Sequence, residues 1–195
     1  MSLLFAKRLP LLKPLLIATL VLSGLATSSQ ADDLALASNT VQSKMVKIYG
    51  AGGLKGLEAY QSGFLISGDG HILTVWSYVL DTDYITIVLD DGRKFEGKIV
   101  GADPRLEMAV LKIDSQELDH FSLSKSIVLQ PGARILTISN LFGVATGNEP
   151  CSVLHGIVAA TTSLNARRGA FKSPYQGPIY VLDAISNNPG AAGGA

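Results

Sequence analysis

Chemistry in a chain of this kind would have to come from a small set of side chains. There are three histidines and one cysteine in 195 residues. His71 sits at a turn between two apolar runs, His120 in a polar stretch, and His155 beside Gly156 in an apolar run. An imidazole near a serine can act as a general base, and His155 with Ser152 or Ser77 is the one such pairing worth naming. The reading favoured for each histidine is a partly exposed or core-edge imidazole. Their spacing matches no metal-ligand pattern, so a zinc site is not expected. Cys151 stands alone, which excludes an intramolecular disulfide. The apolar run Val153 to Ala160 behind it argues for a buried thiol. The chain closes on Asn188-Pro-Gly-Ala-Ala-Gly-Gly-Ala195, where Gly190, Gly193 and Gly194 suit a sharp backbone turn and the alanines bring no reactive group. Gly50 to Gly56 lacks the Gly-Lys-Ser/Thr ending of a phosphate-binding loop. Arg167-Arg168 reads as a solvated loop pair and Trp76 as a core or barrel-rim aromatic.

The elements that must position these residues are short strands. Met45 to Tyr49 alternates, with Lys47 outward. Gln61 to Ser67 and His71 to Val75 flank Gly68-Asp69-Gly70 and form a hairpin. Tyr84 to Leu89 and Arg93 to Val100 flank Asp90-Asp91-Gly92 and form another, and Met108 to Ile113 is a further strand. A single turn fits Trp76 to Leu80. Residues 114–126 form a polar linker. Beyond it, Arg134 to Asn140, Cys151 to Thr161 and Ile179 to Ala184 are strands, and Asn165 to Pro178 is a loop. No helical period longer than about two turns follows residue 31. The organisation is two small antiparallel β units, residues 43–113 and 127–195, preceded by a loose lead over 32–42.

Residues 1–31 read as a signal peptide. Lys7, Arg8 and Lys13 make a basic start, Leu15 to Ala26 is apolar, and Ser29-Gln30-Ala31 fits a cleavage site. The apolar stretch is shorter than the roughly 18–20 residues a membrane span requires, and Pro10 and Pro14 disfavour a helical anchor. Cleavage after Ala31 predicts an exported, periplasmic or otherwise extracytoplasmic chain with no stable membrane span. It leaves 13 Lys+Arg against 16 Asp+Glu, a net charge of −3, which excludes a basic nucleic-acid footprint.

Four ordered segments carry a family resemblance. Gln61 to Leu80 (QSGFLISGDGHILTVWSYVL), Asp103 to Ile113 (DPRLEMAVLKI), Asn140 to Ala159 (NLFGVATGNEPCSVLHGIVA) and Asp183 to Ala195 resemble the corresponding motifs of HtrA/Deg-type trypsin-like serine proteases. The resemblance implies an all-β fold, a trypsin-like double β-barrel, whose second barrel is C-terminally incomplete. Carried over residue by residue, it puts the family's general base at Ser77, its orienting aspartate at Glu107 and its nucleophile at Ala192. The oxyanion-hole amides fall on Gly190 and Ala192. A serine hydroxyl does not titrate near neutral pH, and a methyl group cannot attack a carbonyl. The triad positions are therefore all substituted, and what survives in such sites is a rate of roughly 10³–10⁴ over water.

The expectation is an exported pseudoprotease without peptidase activity, acting by binding a peptide or protein or as a scaffold or regulatory subunit. Its partner would be an active protease relative or a second copy of the chain, with no cofactor or metal. Two other readings stay open: an active serine endopeptidase with misregistered or non-standard catalytic residues, and a truncated, decayed gene product. An incomplete second barrel would leave a strand edge for a partner to pair with.

Overall fold

Glycines with positive φ make the two tight turns that the sequence marks. Gly70 has φ 93° and Gly92 φ 84°, backbone that L-residues with a Cβ rarely adopt. Each turn joins two antiparallel strands. In the computed structural model the described residues are 28–51, 59–164, 167–168, 171–172, 175–184 and 188–195. The expected signal segment up to residue 27 and most of the Gly50–Gly56 loop lie outside them.

Six strands close a barrel in the order β1-β2-β3-β6-β5-β4. They are β1 (Met45–Tyr49), β2 (Tyr60–Leu65), β3 (His71–Val75), β4 (Ile85–Val88), β5 (Lys94–Asp103) and β6 (Met108–Lys112). β1 closes the ring by pairing with both β2 and β4. Inward side chains of all six elements fill it, with Val46, Ile48, Leu65, Ile72, Ile87 and Leu111 fully buried. Burial of each such side chain contributes about 1.5–3 kcal/mol. Closure also removes sheet edges that would otherwise be open to other chains.

The second half forms a three-stranded sheet, β11-β8-β7. Its strands are β7 (Arg134–Ser139), β8 (Ser152–Ser163) and β11 (Pro178–Asp183). The last residue, Ala195, donates its N–H to Ile138 O and accepts from Ile138 N, so it pairs on the outer edge of β7. Thr40–Ala195 is one compact unit. The all-β class, the first barrel and the incomplete second one are as expected.

Three details differ. The residues read as a loose lead lie in helix α1 (Ser28–Gln42). Ala and Leu between 31 and 37 are strong helix formers, but they do not recur on one face, so a search for periodicity passes over them. Lys47 lies on the outer face of β1, opposite the core residues Val46 and Ile48, but it is fully buried there rather than solvent-exposed. Its ammonium donates to Gly147 O at 2.8 Å and Leu89 O at 3.4 Å, so the side chain is a strut between β1 and the loop before β8. The stretch read as one loop holds a two-strand ladder, β9 (Arg167–Arg168) with β10 (Phe171–Lys172). Its side chains lie outside the described residues. The single turn expected between Trp76 and Leu80 is present as a 3-10 turn, Tyr78–Leu80.

Cys151 is buried, as read from the sequence, in a second small core with Met45 and Ile138. Burial pushes its thiol up to about 11, against which nearby Lys47 pulls only weakly. The thiolate is therefore disfavoured in the fold. The folded pKa lies above the ordinary value of 9.0, so the folded chain holds its proton longer than the unfolded chain. Stability is then complete below about pH 9 and falls as pH rises toward 11, by at most about 3 kcal/mol. Alkylation by iodoacetamide at pH 7.5 should be negligible in the native chain and complete in urea. A native-state labelling rate equal to the denatured one would contradict the buried assignment.

Candidate functional site

Ser77 and Ala192 both bond to the start of β2, and Glu107 bonds to the residue before Ser77. The amide of Trp76 donates to Glu107 O at 2.9 Å, which brings Glu107 beside the Trp76-Ser77 step. The amide of Ser62 donates to Ala192 O at 2.9 Å. Ser77 reaches the same strand through its side chain, which donates to Gln61 Oε1.

Ser77 has a structural task. It is the N-cap of the Tyr78–Leu80 turn, and its Oγ accepts from Val79 N at 3.1 Å. Capping satisfies a backbone donor that the turn itself cannot. Gln61, 1% exposed, is held from its other end, because Nε2 donates to Thr74 Oγ1 at 2.8 Å and Val75 O at 3.0 Å. Thr74 Oγ1 in turn donates to Ser62 O at 2.6 Å. Ser77, Gln61, Thr74 and Ser62 therefore form one continuous hydrogen-bond chain with no imidazole or carboxylate in it.

Glu107 stands at φ 53°, left-handed backbone uncommon for a glutamate. Its turn is held by Asp103, whose carboxylate accepts from Arg105 N at 2.9 Å and pairs with the Arg105 guanidinium. The Arg105 hydrogen bonds, side chain first and then backbone, hold the Asp103 carboxyl below its ordinary value. The Glu107 carboxylate itself engages no described residue.

The terminal loop docks on β2 through Ser62. Its hydroxyl donates to Gly190 O at 2.6 Å and accepts from Asn140 N at 2.8 Å. Asn188 Oδ1 accepts from Gly190 N and Phe142 N, both at 2.9 Å. Of the two amides expected to line an oxyanion site, that of Gly190 is thus already donated within the loop. The fit leaves no space for side chains. A Cβ on Gly190 would lie 1.9 Å from Asn140 O, and one on Gly193 would lie 2.2 Å from Ser62 O. Asn140 in turn organises the loop after β7: its Nδ2 donates to Tyr49 OH at 3.0 Å and Ala145 O at 3.1 Å, and its Oδ1 accepts from Ala145 N at 3.0 Å. Burial raises the Tyr49 phenol above its ordinary value, although the Asn140 bond opposes this.

The histidines stand apart from this site. His155 is exposed on β8. His120 bonds only to Leu118 O, at 3.0 Å. His71 lies near Ser67 and Asp69 at the β2–β3 turn, but both contact the same ring nitrogen, Nδ1, at 3.0 Å. A proton relay needs the two partners on opposite nitrogens, so this cluster is a turn lock. The Ser67 hydroxyl, and then His71, hold the Asp69 carboxyl down at about 2. Among the described residues no cluster of His, Cys, Asp or Glu is arranged to hold a metal.

Sequence reading located Ser77, Glu107, Gly190 and Ala192 but passed over Gln61, Ser62 and Asn140. Their sequence signal is slight, since their partners lie 16, 128 and 78 residues away.

Residues 61–195 match the sequence model of the trypsin-like peptidase domain family. The chain is 35% identical over 133 residues to a probable periplasmic serine endoprotease of the DegP-like kind from Ectopseudomonas mendocina, covering 68% of this chain and 26% of that one. A relative of the same description from Brucella suis is 34% identical over 138 residues, 70% of this chain and 25% of that one. The chain thus spans about a quarter of the length of these relatives. A solved HtrA-type protease with a tripeptide superimposes with a TM-score of 0.67 and 31% identity, over 83% of this chain and 49% of that one.

Two substitutions test the docking. Gly193 and Gly132 both have positive φ, at 75° and 89°. Nothing lies within 4 Å of a Cβ added at Gly132, in contrast to Gly193. Gly132→Ala should therefore cost about 1–2 kcal/mol of backbone strain, and Gly193→Ala at least about 2 kcal/mol more from the clash with β2. Equal urea midpoints for the two variants would refute the docked loop. Ser77→Ala should cost about 2 kcal/mol, from the lost cap and an unpaired Gln61 oxygen.

Proposed function

The chain belongs to the HtrA-type family of trypsin-like peptidases, and from that premise we propose that it is an exported pseudoprotease domain that binds peptide or protein without cleaving it. The observation that carries this reading is the hydrogen-bonded Ser77–Gln61 pair. Where the family places an imidazole, this chain has a hydroxyl committed to a buried amide. Ala192 adds the second loss, since no acyl intermediate can form on a methyl group. Glu107 has no imidazole to orient. Binding does not depend on these groups, because an extended polypeptide is recognised through backbone and pocket contacts. The role is then that of a scaffold or regulatory subunit, with an active relative or a second copy of this chain as the natural protein partner. The periplasmic description of the relatives supports export. Among the described residues no helix is long and apolar enough to cross a membrane.

Two measurements test this. A fluorophosphonate probe should label neither the native chain nor its Ala192→Ser variant, since no base activates a hydroxyl at that position. Stoichiometric labelling of any serine in the native chain would overturn the reading. Calorimetric titration with casein, a permanently unfolded polypeptide, should give a saturable signal with no cleavage products on overnight incubation.

A further inference from the structure

The Ser77-capped turn forms one wall of a cleft of about 690 Å³, lined by Trp76, Ser77, Tyr78, Asp81, Asp83 and Ile99, with Leu80 and Thr82 completing it. The volume lies within the range of side-chain and small-ligand sites. Its shape is set by the fold. Val79 and Leu80 are buried and anchor the turn, Asp81 N donates to Tyr78 O at 3.0 Å, and Thr82 N donates to Leu80 O at 3.0 Å. Ile99 faces the turn from β5. Neither Glu107 nor Ala192 lines the cleft.

The lining chemistry has one sign. Asp81 and Asp83 are exposed, and neither carboxylate has a hydrogen bond or ion pair among the described residues. Among the described residues no lysine, arginine or histidine lines the cleft. Two aromatic rings share it, Trp76 at 40% exposure and Tyr78 at 43%, with Ile99 at 41%. Ring faces carry negative potential and attract cations, and the carboxylates add two formal negative charges. A bare metal ion is a poor match, since two carboxylates among apolar walls do not supply the six or more oxygens a calcium ion requires. A guanidinium is a good match: it is planar, weakly hydrated, stacks on aromatic faces and pairs with carboxylates through several donors.

We propose that this cleft binds an arginine side chain of an extended peptide segment, with the guanidinium between the Trp76 and Tyr78 rings and the Asp81 and Asp83 carboxylates. The assignment deepens the peptide-binding reading above and rests on it, because the cleft opens beside Ser77, at the family's base position.

Trp76 is the chain's one tryptophan, so its fluorescence reports this cleft alone. The probe is acetyl-Ala-Ala-Arg-Ala-Ala-amide, compared with the same peptide carrying citrulline, a neutral isostere of arginine. The arginine peptide should change Trp76 emission saturably, with an affinity that weakens between 0.05 and 0.5 M salt. The citrulline peptide should bind at least tenfold more weakly. The Asp81→Asn/Asp83→Asn double variant should lose at least tenfold for the arginine peptide while keeping its melting temperature within a few degrees. Equal binding of the two peptides, or full affinity in the double variant, overturns the cationic assignment. No emission change at millimolar peptide overturns the cleft assignment. Casein calorimetry reads binding anywhere on the chain, so its signal persisting alongside either result leaves the broader binding reading standing, and its loss removes both.

Discussion

The hydroxyl of Ser62 is the point on which the site region depends. It gives its proton to Gly190 O and takes one from Asn140 N, so one buried side chain ties β2 to the loop after β7 and to the terminal loop. Each bond contributes only about 1 kcal/mol net, but leaving either backbone group unpaired in a buried place costs more. The neighbouring Ser62 amide adds a third tie, to Ala192 O. None of these bonds involves a side chain at position 192. The terminal loop therefore keeps its turn with only a methyl group at position 192.

The same logic explains how the fold accommodates Ser77. An imidazole at that position would have to find partners near Gln61, which is closed off by Thr74 and Val75. The serine instead caps the following turn and completes the Gln61 hydrogen bonds. Catalytic groups are commonly held at some cost to stability, and a site released from catalysis can replace them with better-satisfied ones. The buried side-chain nitrogens and oxygens among the described residues all have partners.

Much of the fold was legible because its turns are chemical. Gly70 and Gly92 mark the two hairpins in the sequence, and the strands beside them alternate in the expected period. Barrel closure was not legible from the strands alone, since it depends on β1 pairing with β4 across forty residues. Lys47 shows that alternation gives the face of a residue but not its exposure. A lysine between apolar neighbours reads as outward on a two-faced strand, but here the outer face of β1 is covered by the Ala145–Glu149 loop, and the ammonium ends on carbonyls. Helix α1 was missed for the opposite reason, because its apolar residues have propensity without a face. Within the site, positions were readable but partners were not. Ser77 announces a missing base, whereas nothing in the sequence says that Gln61 holds it.

Catalysis and binding place different demands on the same surface. Catalysis requires a few atoms in exact relation, including a base of suitable pKa, and one substitution removes most of it. Binding is distributed over backbone, shape and charge, and it declines gradually. On the proposed reading the groups that catalysis needs are substituted, while the features that shape the surface are the docked loop, the capped turn and the cleft beyond it. The carboxylates of Asp81 and Asp83 make the point most directly. Two like charges on one short turn repel each other slightly, and among the described residues no basic neighbour in the cleft relieves them. They do not serve the fold, whose core lies beneath Val79 and Leu80. A cationic partner is the arrangement in which their repulsion becomes a favourable term.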